Sequence, residues 1–174
     1  MAFTDRLGNR GSISTGPYEV ENAIFLESLT TEEMHFTTSS SSSDNKLGTF
    51  SFWYKRSNME AGNFAPIQIN DYGAPTHRGA YWSVGTGTLA HRLFWNHKDN
   101  SSQWSAWEIQ MRDPSAWYHC VVRIDTTQGT ADNRHRFYVN GVLQTLLSSH
   151  NAPVSQNDAY DWFGTSRKMT VGGL

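Results

Sequence analysis

The acidic residues are spaced poorly for glycoside hydrolysis, a reaction that needs two carboxyl groups placed across a cleft. Retaining glycosidases hold two carboxyl groups about 5 to 5.5 Å apart across a cleft. Glu108 and Asp113 are separated by an odd number of positions, which places them on opposite faces of a strand. Glu19 and Glu21 have the period of two, but they stand at the entrance to the domain. We therefore expect no catalytic pair and no enzyme.

Histidine and cysteine do not form a recognisable metal or nucleophile motif. None of the seven histidines occurs in a His-x-His or His-Glu-x-x-His spacing. Cys120 is the single cysteine, and it alternates with Tyr118 and Val122, as an inert buried thiol would. The sequence contains neither a Gly-x-Ser-x-Gly nucleophile motif nor a glycine-rich phosphate loop followed by a helix. We expect no metal and no cofactor.

A cluster of aromatic residues is the remaining candidate site. Tryptophans in turn-rich sequence, with amide, carboxylate and imidazole groups beside them, are suited to stacking on sugar rings and bonding their hydroxyls. The cluster comprises Trp82, Trp95, His97, Asp99, Asn100, Trp104 and Trp107. The alternative is that these rings pack in the core or between subunits, since each buries about 150–250 Å². Exposure of the rings at a rim distinguishes glycan binding from packing.

Composition limits the protein to a few classes. The chain has 174 residues, of which 37% are hydrophobic, 13% aromatic and 17% charged, which suits one domain rich in strands. A net charge of −2 leaves no electrostatic footprint for nucleic acid. No apolar run approaches the roughly 20 residues of a membrane span, and the N-terminus lacks the apolar region of a secretion signal. We expect no nucleic-acid partner and no membrane insertion.

Two segments alternate with the period of a strand. In residues 49–56 the rings of Phe50, Phe52 and Tyr54 fall on one face, with Trp53 on the other. Aromatic residues on both faces predict a strand packed on both sides. Residues 117–125 alternate in the same way, with Trp117 on the polar side. We expect Trp53 and Trp117 to fill the space between two sheets if they face inward.

Short strands separated by turns account for the rest of the chain. Strands are predicted near Phe25 and in five further segments, at residues 34–37, 67–69, 81–84, 92–96 and 107–111. Asn140 and Gly141 stand between two apolar runs, the strongest short-range signal of a hairpin. A further strand begins at Met169. No window of ten or more residues has the helical period, so the sequence predicts an all-β antiparallel sandwich or jelly roll.

Residues 1–18 differ from the body. They are rich in Gly, Ser, Thr and Asn, and glycines interrupt any regular element. One interpretation is a frayed terminus. The other is an extended arm that docks onto a partner through its larger side chains, namely Phe3, Leu7, Arg10, Ile13 and Tyr18.

Four motifs resemble the concanavalin A-like (laminin G-like) jelly-roll domains of tailed-phage structural proteins. Residues 112–119 read Arg-Asp-Pro-Ser-Ala-Trp-Tyr-His, and residues 121–128 read Val-Val-Arg-Ile-Asp-Thr-Thr-Gln. Residues 137–141 read Phe-Tyr-Val-Asn-Gly, and residues 50–56 read Phe-Ser-Phe-Trp-Tyr-Lys-Arg. Residues 10–18 also look like the lead-in of such proteins. The resemblance covers most of the chain from about residue 10.

The resemblance implies a jelly-roll sandwich of two antiparallel sheets over residues 19–174, preceded by the arm. It implies a non-enzymatic virion structural protein, a tail fibre, appendage or capsid decoration assembled in the host cytoplasm. Its partners would be other virion proteins and further copies, with trimers typical of fibres. A carbohydrate-recognition module for host surface glycans is the alternative, and a glycoside hydrolase is the least favoured. The family continues into another strand after the one near Met169, so we expect an open sheet edge that a neighbouring protein caps.

Overall fold

The computed structural model describes the protein mainly through its strands. The described residues are 33–40, 44–56, 67–69, 82–84, 87–96, 104–152, 154–160 and 168–172. Within them the strands are β1 (Glu33–Thr37), β2 (Leu47–Tyr54), β3 (Ile67–Ile69), β4 (Trp82–Val84), β5 (Leu93–Asn96), β6 (Trp104–Trp107), β7 (Tyr118–Asp125), β8 (His135–Val139), β9 (Val142–Leu143), β10 (Leu146–Ala152) and β11 (Lys168–Gly172).

The described strands form an all-β, antiparallel arrangement of three sheets. Sheet I has the order β1–β11–β3, sheet II the order β10–β6–β5–β4, and sheet III the order β2–β7–β8–β9. The helical segments in this part of the chain are 3-10 turns of three residues, at Gly87–Leu89 and Ala131–Asn133. None of the described helices is long and apolar enough to cross a bilayer. The predicted all-β class is therefore confirmed.

Alternation sets the faces of sheet III. Burial along β2 changes at every residue, and its partly buried members include Phe50, Phe52 and Tyr54. Phe50 pairs with Val122 and Phe52 with Cys120 in the β2–β7 register, so these side chains share a face. A strand turns successive side chains to opposite faces, which is why one register produces one apolar and one outer face.

The inner faces of sheets II and III contact each other through aromatic rings. Phe50 of sheet III lies 5.4 Å from Trp95 of sheet II, measured between ring centroids. Phe137 lies 4.9 Å from Trp107 in the same way. All but Phe50 are fully buried, and burying each such ring contributes about 1.5–3 kcal/mol. Ile67 of sheet I joins the same core.

A buried polar network also joins the two inner faces. His135 is 3% exposed, and its Nδ1 lies 2.9 Å from the hydroxyl of Ser105 on β6. Its Nε2 is hydrogen-bonded to the hydroxyl of Tyr160, which is 1% exposed. Buried polar groups are tolerated when they are hydrogen-bonded to one another, and such a network fixes how the layers dock.

The predicted hairpin is present, and its backbone explains the residue choice. Val139 pairs with Val142 across the turn. Asn140 has φ 50° and Gly141 has φ 81°, the left-handed conformations that a two-residue hairpin turn needs. Nothing lies within 4 Å of the position that a Cβ on Gly141 would occupy, so the backbone angle and not crowding favours glycine here.

Several expectations are corrected. The strand predicted at residues 107–111 is β6, at Trp104–Trp107, because Met111 instead bonds through its N–H to the carbonyl of His91. β2 is packed on one face only, and Trp53 and Trp117 point outward, with 55% and 40% exposed. β11 pairs with β1 on one side and with β3 on the other. That a neighbouring protein caps an open sheet edge stays a prediction.

Candidate functional site

The predicted tryptophan cluster does not form one exposed patch. Trp95 and Trp107 are 0% and 1% exposed, so these two rings belong to the core and cannot stack on a sugar. Trp104 is half-buried and makes an edge contact with Phe94, at 6.4 Å between centroids. Trp82 lies on β4, across from Trp95 in the register. Core packing is therefore the correct interpretation for Trp95 and Trp107.

The other predicted site residues lie outside the described part of the chain. They are His97, Asp99 and Asn100 of the cluster, and Phe3, Leu7, Arg10, Ile13 and Tyr18 of the arm. The strand predicted near Phe25 lies outside it as well.

The structure instead presents aromatic side chains on the outer face of sheet III. The β2–β7–β8–β9 registers place the outward side chains in rows across the strands. Trp53 and His119 form one row; Ser51, Val121, Tyr138 and Leu143 form the next; Thr49, Arg123 and Arg136 form the third. We call this surface, extended by Lys55 and Trp117, the outer aromatic face.

The His119 ring stacks against the Trp53 ring. The two rings are stacked, with centroids 5.0 Å apart and planes inclined by 29°. The Nε2 atom of His119 lies 3.0 Å from the Ser51 hydroxyl. The backbone of His119 is held by Asn140, whose Oδ1 accepts from its N–H and whose N–H donates to its carbonyl, each at 2.9 Å. The exposed Trp53 ring therefore stacks on an imidazole whose ring contacts Ser51 and whose backbone is hydrogen-bonded to Asn140.

Trp117 is the second exposed ring, and a turn positions it just before β7. Asp113 accepts hydrogen bonds from the hydroxyl and the N–H of Ser115, at 2.5 and 2.8 Å. These bonds hold the pKa of the Asp113 carboxyl below its ordinary value. Lys55 Nζ lies 5.9 Å from the Trp117 ring centroid, a distance at which cation–π attraction operates. Extending the β2–β7 register by one residue pairs Lys55 with Trp117. Because Trp53 pairs with His119, Trp53 and Trp117 are diagonal neighbours, about 7–8 Å apart.

Two arginines occupy the other end of the outer aromatic face. Arg123 and Arg136 pair directly across β7 and β8. Arg123 forms an ion pair with Asp125 at 2.6 Å, and Arg136 donates to Asn133 Oδ1 at 2.9 Å. Burial opposes ionisation of Asp125, but hydrogen bonds from Thr127 and Gln128 and the charge of Arg123 outweigh it and lower its pKa.

Cys120 and Tyr54, two titratable groups on the inner face of β2 and β7, stay protonated near neutral pH. Burial raises the pKa of the Cys120 thiol to about 12, so the thiolate that would act as a nucleophile is not populated near neutral pH. Burial likewise raises the pKa of Tyr54 to about 12. Among the described residues no group of three or more His, Cys, Asp or Glu side chains could hold a metal ion.

The sequence contained the signal for this surface, although it did not identify the site. Alternation correctly placed Trp53 opposite Phe52, and Trp117 opposite Tyr118. Whether Trp53 and Trp117 point inward or outward depends on which face of sheet III meets sheet II. A strand pattern with rings on both faces does not show which face is buried. Stacking by Trp53 and Trp117 on a flat partner is what this arrangement can do chemically.

Comparison with known proteins does not assign a family. The sequence matches no protein-family model, and it matches no curated protein. The function is therefore inferred from the residues, from their geometry and from the motif resemblance described above.

Proposed function

We propose that the protein is a non-enzymatic glycan-recognition and structural module of the tailed-phage appendage type. The observation that carries the recognition role is the pair of outward rings, Trp53 and Trp117, on one regular sheet face. Exposed indole rings on a rigid strand are preorganised, so little side-chain freedom is lost when a ligand stacks on them. Sugar rings offer flat C–H faces to such a surface, and Ser51 and Lys55 supply polar atoms beside it.

The scaffold that we propose is a concanavalin A-like jelly-roll sandwich. Two features support it: sheets II and III are both antiparallel, and their aromatic faces meet in one core. β3 of sheet I lies next to β4 of sheet II, which would continue sheet II into a longer layer opposite sheet III. Sheets that pack face to face in this way leave each layer an outer face for binding.

The exposed aromatic surface is large enough for a small ligand. Trp53 is 55% and Trp117 is 40% exposed. With about 150–250 Å² for a whole aromatic side chain, the two rings together offer roughly 140–240 Å². The two rings suit a ligand the size of a few sugar units.

The virion context rests on the motif resemblance, and its docking element is the arm at residues 1–18. Deletion of these residues tests that part of the proposal. We expect the truncated protein to fold, as judged by far-ultraviolet circular dichroism, and to be lost from purified particles. Normal incorporation without the arm would overturn the docking role.

Glycan binding is tested on an array of bacterial capsular and O-chain polysaccharides, with Trp53→Ala and Trp117→Ala as variants. Truncating an aromatic anchor costs more than about 1–2 kcal/mol, which is about 5- to 30-fold in affinity. Phe36→Ala is the matched control, because Phe36 is 53% exposed but lies on β1 of sheet I. Loss of binding in the tryptophan variants alone supports the proposal; an array without any bound glycan overturns it.

A further inference from the structure

The outer aromatic face is elongated, with its rings toward one end and its cations at both. Lys55 follows β2 directly, and Thr49 of the arginine row lies six residues earlier on the same side of the strand. At about 3.3 Å per residue these two positions are roughly 20 Å apart. Trp53 lies between them. A ligand that touches both ends must be an extended chain that follows the strands.

Like charges adjoin at the arginine end. Arg123 and Arg136 are directly opposite each other in the β7–β8 register, an arrangement that is unfavourable unless negative charge is near. Asp125 compensates Arg123 through the 2.6 Å ion pair. The partner of Arg136 is the neutral amide oxygen of Asn133, so this row has more positive than negative charge.

Lys55 supplies the positive charge at the other end. Its ammonium group lies beside the Trp117 ring. The nearby carboxylate of Asp113 accepts hydrogen bonds from Ser115, on the hydroxyl and on the backbone N–H. Asp113 stays charged in this turn and partly offsets Lys55, whose charge is one of the causes that lower the pKa of Asp113 after its hydrogen bonds from Ser115.

We propose that the glycan is an acidic polysaccharide that runs along β2 and β7, stacks on Trp53 and Trp117, and places anionic groups against Lys55 and Arg136. This inference rests on the proposed glycan-binding function and specifies its ligand class. The geometry requires a chain of several sugars whose negative groups are spaced along it. A single-stranded nucleic acid also combines stacking with negative charge, and binding of it as tightly as of any acidic polysaccharide would overturn this ligand class.

The test compares acidic polymers with neutral counterparts of the same backbone, using affinity electrophoresis and calorimetry on the full chain. One pair is polygalacturonate and its methyl ester; the second is dextran sulfate and dextran. We expect at least one acidic member to bind ten times more tightly than its neutral counterpart. We also expect this binding to weaken as the salt concentration rises. The Debye length, the distance over which exposed charges interact, falls from about 10 Å at 0.1 M salt to about 3 Å at 1 M.

Charge-removing variants connect the preference to this face. Lys55→Gln and Arg136→Gln should each weaken binding of the acidic polymer about two- to fivefold, the range for a partly exposed ion contact. Neither should change binding of a neutral glycan. Lys168→Gln on sheet I is the matched control and should leave both affinities unchanged. Thermal unfolding of each variant confirms that it is folded.

The outcomes separate this inference from the function beneath it. Equal binding of charged and neutral polymers, or binding of neutral glycans alone, overturns the acidic ligand class. In either case the proposed glycan-binding function stands if Trp53→Ala abolishes the binding that is observed. If polyglutamate binds as tightly as the acidic polysaccharide and Trp53→Ala has no effect, the binding is nonspecific for polyanions. That result overturns both the acidic ligand class and the glycan-binding function. A protein that binds none of these polymers and no array glycan overturns both as well.

Discussion

Replacing Tyr160 with phenylalanine tests the polar network between the layers. The Tyr160→Phe substitution keeps the ring that lies 6.5 Å from Trp95 and 5.7 Å from His135, so no large cavity forms. It removes the hydroxyl that bonds Nε2 of His135. His135 is 3% exposed and has little access to water as a replacement partner.

The expected cost is about 2 kcal/mol. A net hydrogen bond contributes about 0.5–1.5 kcal/mol, and an imidazole nitrogen left in the core without this partner costs about 1–3 kcal/mol. For a chain of this size that corresponds to a melting temperature lower by roughly 4–8 °C. Urea unfolding followed by tryptophan fluorescence measures it.

Tyr138→Phe is the matched control, because Tyr138 lies half-buried on the outer side of β8. We expect that substitution to change the free energy of unfolding by less than about 0.5 kcal/mol. The Ser105→Ala variant removes the hydroxyl at the other imidazole nitrogen, and the double variant should be non-additive because both act through His135. A cost below 0.5 kcal/mol for Tyr160→Phe, or equal costs for both tyrosines, would refute the buried network.

Three further predictions concern single residues. Asp125→Asn should destabilise the protein at pH 7. The difference from the wild type should decrease once the pH falls below the unfolded pKa of 3.8, because the pKa of Asp125 is lowered in the folded state, and it should vanish only when the folded carboxyl is protonated. Urea midpoints across pH measure this, and a pH-independent difference contradicts it. Gly141→Ala should cost about 1–2 kcal/mol because its φ is positive, whereas Gly129→Ala, which also meets no atom within 4 Å, should be neutral or slightly stabilising; equal effects would be inconsistent with backbone strain. Cys120 should react with a disulfide reagent in the folded protein at no more than the rate of global unfolding, and fast labelling would show that the thiol is accessible.

Local patterns predicted the strands and the hairpin well. β2 and β7 follow the alternation of residues 49–56 and 117–125 closely, because each has one face against the core. Asn140 and Gly141 specify their turn through backbone preference alone. These features depend on a few neighbouring residues and need no knowledge of the rest of the fold.

The orientation of Trp53 and the position of β6 could not be predicted in the same way. Alternation divides the side chains of a strand into two sets but does not say which set meets another sheet, and β2 carries rings in both. The segment around Trp107 has apolar residues on both faces, so its pattern fits a strand that starts at residue 104 or at residue 107. Contacts between sheets decide the orientation of Trp53, and pairing with β5 and β10 within sheet II decides the position of β6. The network of Ser105, His135 and Tyr160 depends on three distant segments and has no local signature.

The most direct measurement of the proposed recognition surface is a ¹H–¹⁵N spectrum of the tryptophan indole N–H groups during titration with an acidic polysaccharide. The chain has seven tryptophans, and Trp53→Phe and Trp117→Phe assign the signals of these two residues. We predict that these two signals shift with the ligand while those of buried Trp95 and Trp107 stay in place. Binding that leaves Trp53 and Trp117 unshifted would contradict recognition through the outer aromatic face.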